Sequence, residues 1–182
     1  MIGFDVVTQE LEIIYYIKQL IYKKKGAMAH EIINLNEYDS IIHRITSSTY
    51  GSHYNIVYRD LKMLRNMYPR LIRQYLEVNN DTVLFLPFYD CIVEARKLLS
   101  KNKIDVKKFE NKEESLIIMD AGRAYFGSSM YIIPFIESLS NLVAETGKNG
   151  LSIFADIGPF FYYHKLPEKI RIFIIFILQN QN

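Results

Sequence analysis

At 182 residues the chain is long enough to bury one sizeable core without disulfides or metal clips, and its 49% hydrophobic and 23% charged residues describe a globular protein, which excludes disorder and a membrane channel. A formal net charge of +2 supplies no basic field for a nucleic acid, so no direct nucleic-acid binding is expected. The lone Cys91 can form no disulfide within the chain, and Met1-Ile2-Gly3-Phe4-Asp5 lacks the basic and apolar regions of a signal peptide, so a reducing, cytoplasmic setting is the expectation.

The first predicted element is a helix over about Val6 to Lys24, where Val7, Leu11, Ile14, Ile17 and Ile21 recur at steps of three and four. Asp5 precedes it as an N-cap and Gly26 stops it. Lys23-Lys24-Lys25 reads as a solvated helix end, where cations offset the negative end of the dipole. A short helix around Tyr38 to Thr46 follows, and Thr46-Ser47-Ser48-Thr49 with Gly51 reads as a connection. A boundary is placed there: residues 1–51 form an N-terminal helical extension, too small for its own core, and residues 52–182 an α/β domain.

From His53 the rhythm becomes regular. His53 to Tyr58 is rich in aromatic and β-branched residues and reads as a strand. Asp60 then caps a helix carrying Leu61, Leu64, Met67, Leu71, Tyr75 and Val78, with a kink expected near Tyr68 because Pro69 brings no amide hydrogen and crowds the preceding turn. Asn79-Asn80-Asp81 is a turn signal. Three apolar runs follow, each leading to an acidic residue: Thr82 to Phe88 before Asp90, Leu116 to Met119 before Asp120, and Leu151 to Ala155 before Asp156. Runs without alternation are strands buried on both faces, and the intervening helical patterns, Asp90 to Lys101 and Tyr131 to Thr146, make βαβ units. The predicted fold is three-layer α/β, a mostly parallel, doubly wound sheet flanked by helices, Rossmann-like in layout. The tail from Ile172 to Leu178 is apolar throughout, well short of the ~20 residues of a bilayer span. It fits either a final strand, slightly favoured, or a helix buried against the sheet or in a dimer contact.

Parallel strands leading to acidic residues direct attention to the crevice beyond their carboxyl ends, where open α/β sheets bind ligands. The candidate ligand-binding residues are Phe88, Tyr89 and Asp90 after the first run, Asp120 and Arg123 after the second, and Asp156 and Gly158 after the third. A carboxylate at such a place either meets a ligand or magnesium-bound water, or caps the next helix. Capping is the stronger reading for Asp90; for Asp120 and Asp156 the two readings stand level. Arg123 meets an anion or pairs with Asp120 or Asp156. Phe88, Tyr89, Tyr125, Phe126, Phe160, Phe161, Tyr162 and Tyr163 supply an aromatic rim, either core or the wall of a pocket for an apolar or planar molecule.

Catalytic motifs are missing. No Gly-x-x-x-x-Gly-Lys-Ser/Thr loop is present to wrap phosphates, and Gly147-Lys148-Asn149-Gly150 precedes a strand rather than following one, so it reads as a turn. His30, His43, His53 and His164 lack metal spacing, and no Gly-x-Ser-x-Gly elbow offers a nucleophile. No catalytic or metal residue is assigned, and no cofactor is identified.

The order of segments from about His53 to Phe161 resembles the MEDS sensory domain of methanogens, methylotrophs and a dichloromethane-responsive regulator. The resemblance is carried by His53-Tyr54-Asn55-Ile56-Val57-Tyr58, Ile104-Asp105-Val106, Ser115 to Asp120 leading to Ala124-Tyr125, and Gly150 to Gly158. It implies a RecA- or KaiC-like core stripped of its phosphate loop, a sensory or signal-transduction role, and a small-molecule ligand with a signalling or transcription partner. No DNA-binding helix-turn-helix pattern is recognisable in residues 1–51, and the C-terminus is expected to be shorter than the family's. The alternatives are a degenerate nucleotide-binding ATPase using Asp120 or Asp156 with magnesium, and a scaffold without a ligand that dimerises through Val6 to Lys24 and Ile172 to Leu178.

Overall fold

The computed structural model describes residues 30–34, 38–58, 60–127, 132–163 and 172–179. In chain order they form β1 (His30–Asn34), α1 (Tyr38–Thr46), β2 (His53–Val57), α2 (Leu61–Arg73) continued by a π-helical turn (Gln74–Val78), β3 (Thr82–Leu86), α3 (Ile92–Lys101) and α4 (Val106–Asn111). Next come β4 (Leu116–Ile118), α5 (Ala121–Phe126), α6 (Ile132–Glu145), β5 (Gly150–Asp156), α7 (Gly158–Tyr163) and β6 (Ile172–Gln179). The helix predicted over Val6 to Lys24 lies outside the described residues.

The strands make one sheet in the order β1-β2-β6-β5-β3-β4. Pairing is parallel between β1 and β2, β3 and β5, and β3 and β4. Only β6 runs against its neighbours, β2 and β5. The three apolar runs thus lie side by side and parallel, and the buried residues of β3 and β5 account for their lack of alternation: both strands are covered on both faces. The apolar tail is a strand, as favoured, but an interior one. Its backbone pairs with β2 over Ile172 to Phe176 and with β5 over Phe173 to Gln179.

Two apolar clusters fill the two sides of the sheet. On one side Ile41 and Ile45 of α1, Leu64, Met67, Leu71 and Ile72 of α2, and Leu99 and Phe109 behind them pack on Val83, Phe85, Phe154 and Ile175. On the other, Ala121 and Ala124 of α5 and Ile132, Leu139 and Val143 of α6 pack on Leu84, Leu86, Leu151, Ile153 and Ala155. Alternate residues of β3 and β5 serve opposite layers, as the two-residue period of a strand requires. This is a three-layer α/β fold. β1 pairs into the same sheet as the strands after residue 52, and Ile41 and Ile45 of α1 pack in the same core cluster.

Local chemistry sets the ends of the elements. Asp60 accepts the Met63 amide at 2.9 Å and caps α2, as predicted. The helix runs through Pro69, which is buried with Met67, Tyr68, Leu71 and Ile72; no break falls at Tyr68. The irregularity comes later, where the Asn79 amide donates to the Gln74 carbonyl in a wide turn at 3.0 Å. The chain turns at Asn80 with φ 56° and at Gly147 with φ 71°. These two turns are stitched together: Asn149 donates its amide to the Asn80 carbonyl at 3.1 Å and its side chain to the Asn79 carbonyl at 2.6 Å. The segment Gly147 to Gly150 therefore works as a turn locking the start of β5 to the start of β3.

Candidate functional site

Crossover direction locates the crevice. After β3 the chain moves outward to β4; after β5 it moves the opposite way, to β6. The loops leaving β3 and β5 therefore diverge, and the gap between their carboxyl ends is the topological switch point at which open α/β sheets bind ligands. A small cavity sits there, about 10 Å³ and lined in part by Phe85, Pro87, Phe88, Tyr89, Asp90 and Asp156. That is about the space of one water molecule.

Asp156 ends β5 and is 1% exposed. Its Oδ1 accepts the Gly158 amide at 2.7 Å, and its Oδ2 accepts the Tyr58 hydroxyl at 3.2 Å. The second bond reaches from the residue after β2 to the end of β5, across the intervening β6. Desolvation pushes the Asp156 carboxyl up to about 7 against the opposing pull of Gly158 and Tyr58, and the neighbouring Asp90 adds to the rise.

Asp90 is 7% exposed and has different company. Arg65 of α2 approaches it with Nε at 3.0 Å and Nη2 at 2.5 Å from Oδ1, and Nε also lies 3.2 Å from Oδ2. The Tyr68 hydroxyl donates to Oδ2 at 3.1 Å. Three residues apart on α2, Arg65 and Tyr68 reach the same carboxylate. Burial first and the Asp90 charge second push the Tyr68 hydroxyl well above the usual phenol range, so it stays a donor.

Asp90 does not cap α3. Cys91 is the N-cap there, its amide donating to Glu94 Oε2 at 3.2 Å, because the chain turns Asp90 inward toward α2 before the helix starts. Capping falls instead to Asp120, whose Oδ1 accepts the Arg123 amide at 2.7 Å at the start of α5. It is the backbone of Arg123, not its guanidinium, that Asp120 engages, and the Arg123 side chain is exposed. Of the predicted residues, the fold brings Phe88, Tyr89, Asp90, Asp156 and Gly158 together and leaves Asp120 and Arg123 at the helix start one strand away.

The rim is aromatic. The Phe88 ring lies 4.9 Å from that of Tyr89, edge to face, and 5.8 Å from that of Tyr162, which is 70% exposed. Gly158 allows the rim to close down on α7: a Cβ there would lie 2.7 Å from Phe88 Cδ1 and 3.0 Å from the Tyr89 hydroxyl. Tyr125 and Phe126 form a separate edge-to-face pair on α5, 6.4 Å apart. The side chains of Phe160, Phe161 and Tyr163 lie outside those described.

Sequence reasoning missed Tyr58, Arg65 and Tyr68. Tyr58 had a signal, since it follows a strand as Asp156 ends one. Arg65 and Tyr68 had none, because a polar residue on an amphipathic helix reads as surface until its partner is known. Among the described residues, no group of three or more His, Cys, Asp or Glu side chains is gathered to hold a metal ion. Within the same residues no helix is long and apolar enough to cross a membrane. Compared with known proteins, the chain matches no family model, no curated protein and no solved structure.

Proposed function

We propose that this is a non-enzymatic sensory or signal-transduction domain that binds a small molecule at the β3/β5 crevice. One observation carries the reading: two buried carboxylates, Asp90 and Asp156, line the same cavity at the switch point, under an aromatic rim and without a phosphate loop or nucleophile motif beside them. A buried acid facing a cavity is expensive, and a ligand that donates to it recovers part of that cost. Phe88, Tyr89 and Tyr162 suit the apolar or planar part of the ligand; Asp156 suits its donor group. At about 10 Å³ the cavity holds no more than a water, so binding shifts the population toward a conformation with Phe88 and Tyr89 displaced.

The MEDS resemblance supports the same role, with a signalling or transcription partner downstream. Within this reading the domain is cytoplasmic and homodimeric, the second copy or partner receiving the change in rim position. A thermal-shift panel of nucleotides and small apolar compounds tests the site. A true ligand at 100 times its Kd raises stability by about 2.7 kcal/mol, an effect lost in Asp156→Asn. Silence across the panel, or a shift unchanged in that variant, overturns it.

A further inference from the structure

The donors around Asp156 are all neutral among the described groups that face it, and this sets it apart from Asp90. From the end of β2 comes the Tyr58 hydroxyl, and from α7 the Gly158 amide. The loop after β3 brings Asp90 and, at the rim, Tyr89; α2 reaches in with Arg65 and Tyr68, both engaged on Asp90. Tyr125 of α5 feels the Asp156 charge, and on β6 the residue paired with Asp156 is the uncharged Phe173. The single described guanidinium in the cluster therefore serves the other carboxylate. Two anions would then line one water-sized, apolar-walled space, and that arrangement favours a proton on the member without a cation.

The way into this space is shallow. Phe88 and Tyr89 lie against the bare backbone of Gly158, and Phe88 leans on the exposed ring of Tyr162. Among the described residues Tyr89 is exposed and Phe88 is half-buried, its ring packed at the margin of the cluster around α5 and α6, so opening the rim costs Phe88 that contact. We propose that a proton on Asp156 keeps the Phe88 and Tyr89 rim closed over the cavity, and that its loss opens the rim by drawing water to the pair of carboxylates. The device rests on the reading of this crevice as the ligand site, and makes the site's accessibility pH-dependent near neutrality. Asp156→Asn mimics the protonated form, since its amide oxygen can still accept from Gly158 while its NH₂ meets Tyr58.

The chain contains no tryptophan, so Tyr162→Trp places a sole indole against Phe88. With no ligand present, its emission is expected to change with a midpoint near pH 7, together with the Asp156 carboxyl carbon resonance in the otherwise natural chain. The emission change disappears when Asp156→Asn is added. An Asp156 carbon that titrates in the ordinary range near 4, an emission that stays flat while Asp156 titrates near 7, or a transition that survives Asp156→Asn each overturns the gate. Should Asp156→Asn not fold, coincidence of the two midpoints in proteins that keep Asp156 decides the matter. A coincident titration beside a silent ligand panel would sink the ligand reading alone and leave the gate standing.

Discussion

Three carboxylates at strand ends illustrate how far neighbours decide what a residue does. Asp120 caps a helix at the surface, and Asp120→Ala should cost about 1 kcal/mol in urea unfolding at neutral pH. Asp90 holds the half-exposed Arg65 and the buried Tyr68 hydroxyl, so Asp90→Ala strands a buried donor and should cost about 2–3 kcal/mol. Asp156 has the opposite sign. Its folded pKa is raised, so the unfolded chain gives up its proton first, and stability falls as pH rises from about 4 to about 7. Asp81, at the other end of the sheet, contributes in the same direction. It is buried between the Tyr50 hydroxyl at 3.1 Å and the Ser152 hydroxyl at 2.7 Å, and desolvation pushes it up to about 6. Asp156→Asn should therefore stabilise the protein at pH 8, by roughly 4 kcal/mol at the most, and the gain should vanish below about pH 4. Urea denaturation across that range checks it; a variant less stable than the natural chain at pH 8 would show that the carboxylate's two accepted bonds outweigh its desolvation.

Elements differ in how openly their sequences declare them. β3, β4 and β5 were legible because their apolar runs are short and alternate with helical patterns, as in βαβ units, and α1 appears over the residues predicted, Tyr38–Thr46. α4 was overlooked, although Asp105 accepts the Lys108 amide at 3.1 Å as an ordinary cap, because six residues give too short a window for periodicity to show. Pro69 falls inside a continuous α2 whose surrounding turn is buried, so the helix is not interrupted at Tyr68. In α7 the deciding residue is Gly158, whose value as a contact partner no spacing rule reveals. Gly158→Ala sets a methyl group 2.7 Å from Phe88 Cδ1, so the rim must move outward. A loss of about 1–3 kcal/mol is expected, with Tyr89 and Tyr162 more readily iodinated than in the natural protein. Unchanged iodination would mean that the loop after β3 absorbs the methyl group without opening.

At the scale of the whole molecule the connection of greatest consequence is the one made last. β6 was readable as apolar but not as central, because an all-apolar run carries no alternation to say which faces are covered, and nothing in it distinguishes an edge from an interior place. Nor does the connection settle its direction, since residues 157–171 are long enough for either a parallel crossover or an antiparallel return. The β1-β2 pair and the β5-β3-β4 trio are joined in the sheet only through β6, with Ile175 fully buried at the joint and paired to Tyr54 on one side and Phe154 on the other. Until β6 arrives, β2 and β5 each present an open, apolar edge, and the contacts that close them are among the most distant in the sequence. Ending the chain after residue 171 should therefore do more than remove one strand. It should abolish the cooperative thermal transition followed by circular dichroism and send the chain to aggregates in size-exclusion chromatography, while Ile175→Ala keeps the fold at a cost of about 2–5 kcal/mol. A shortened chain that still melted cooperatively as a monomer would show that the helices on the two faces, rather than β6, hold the two parts of the sheet together.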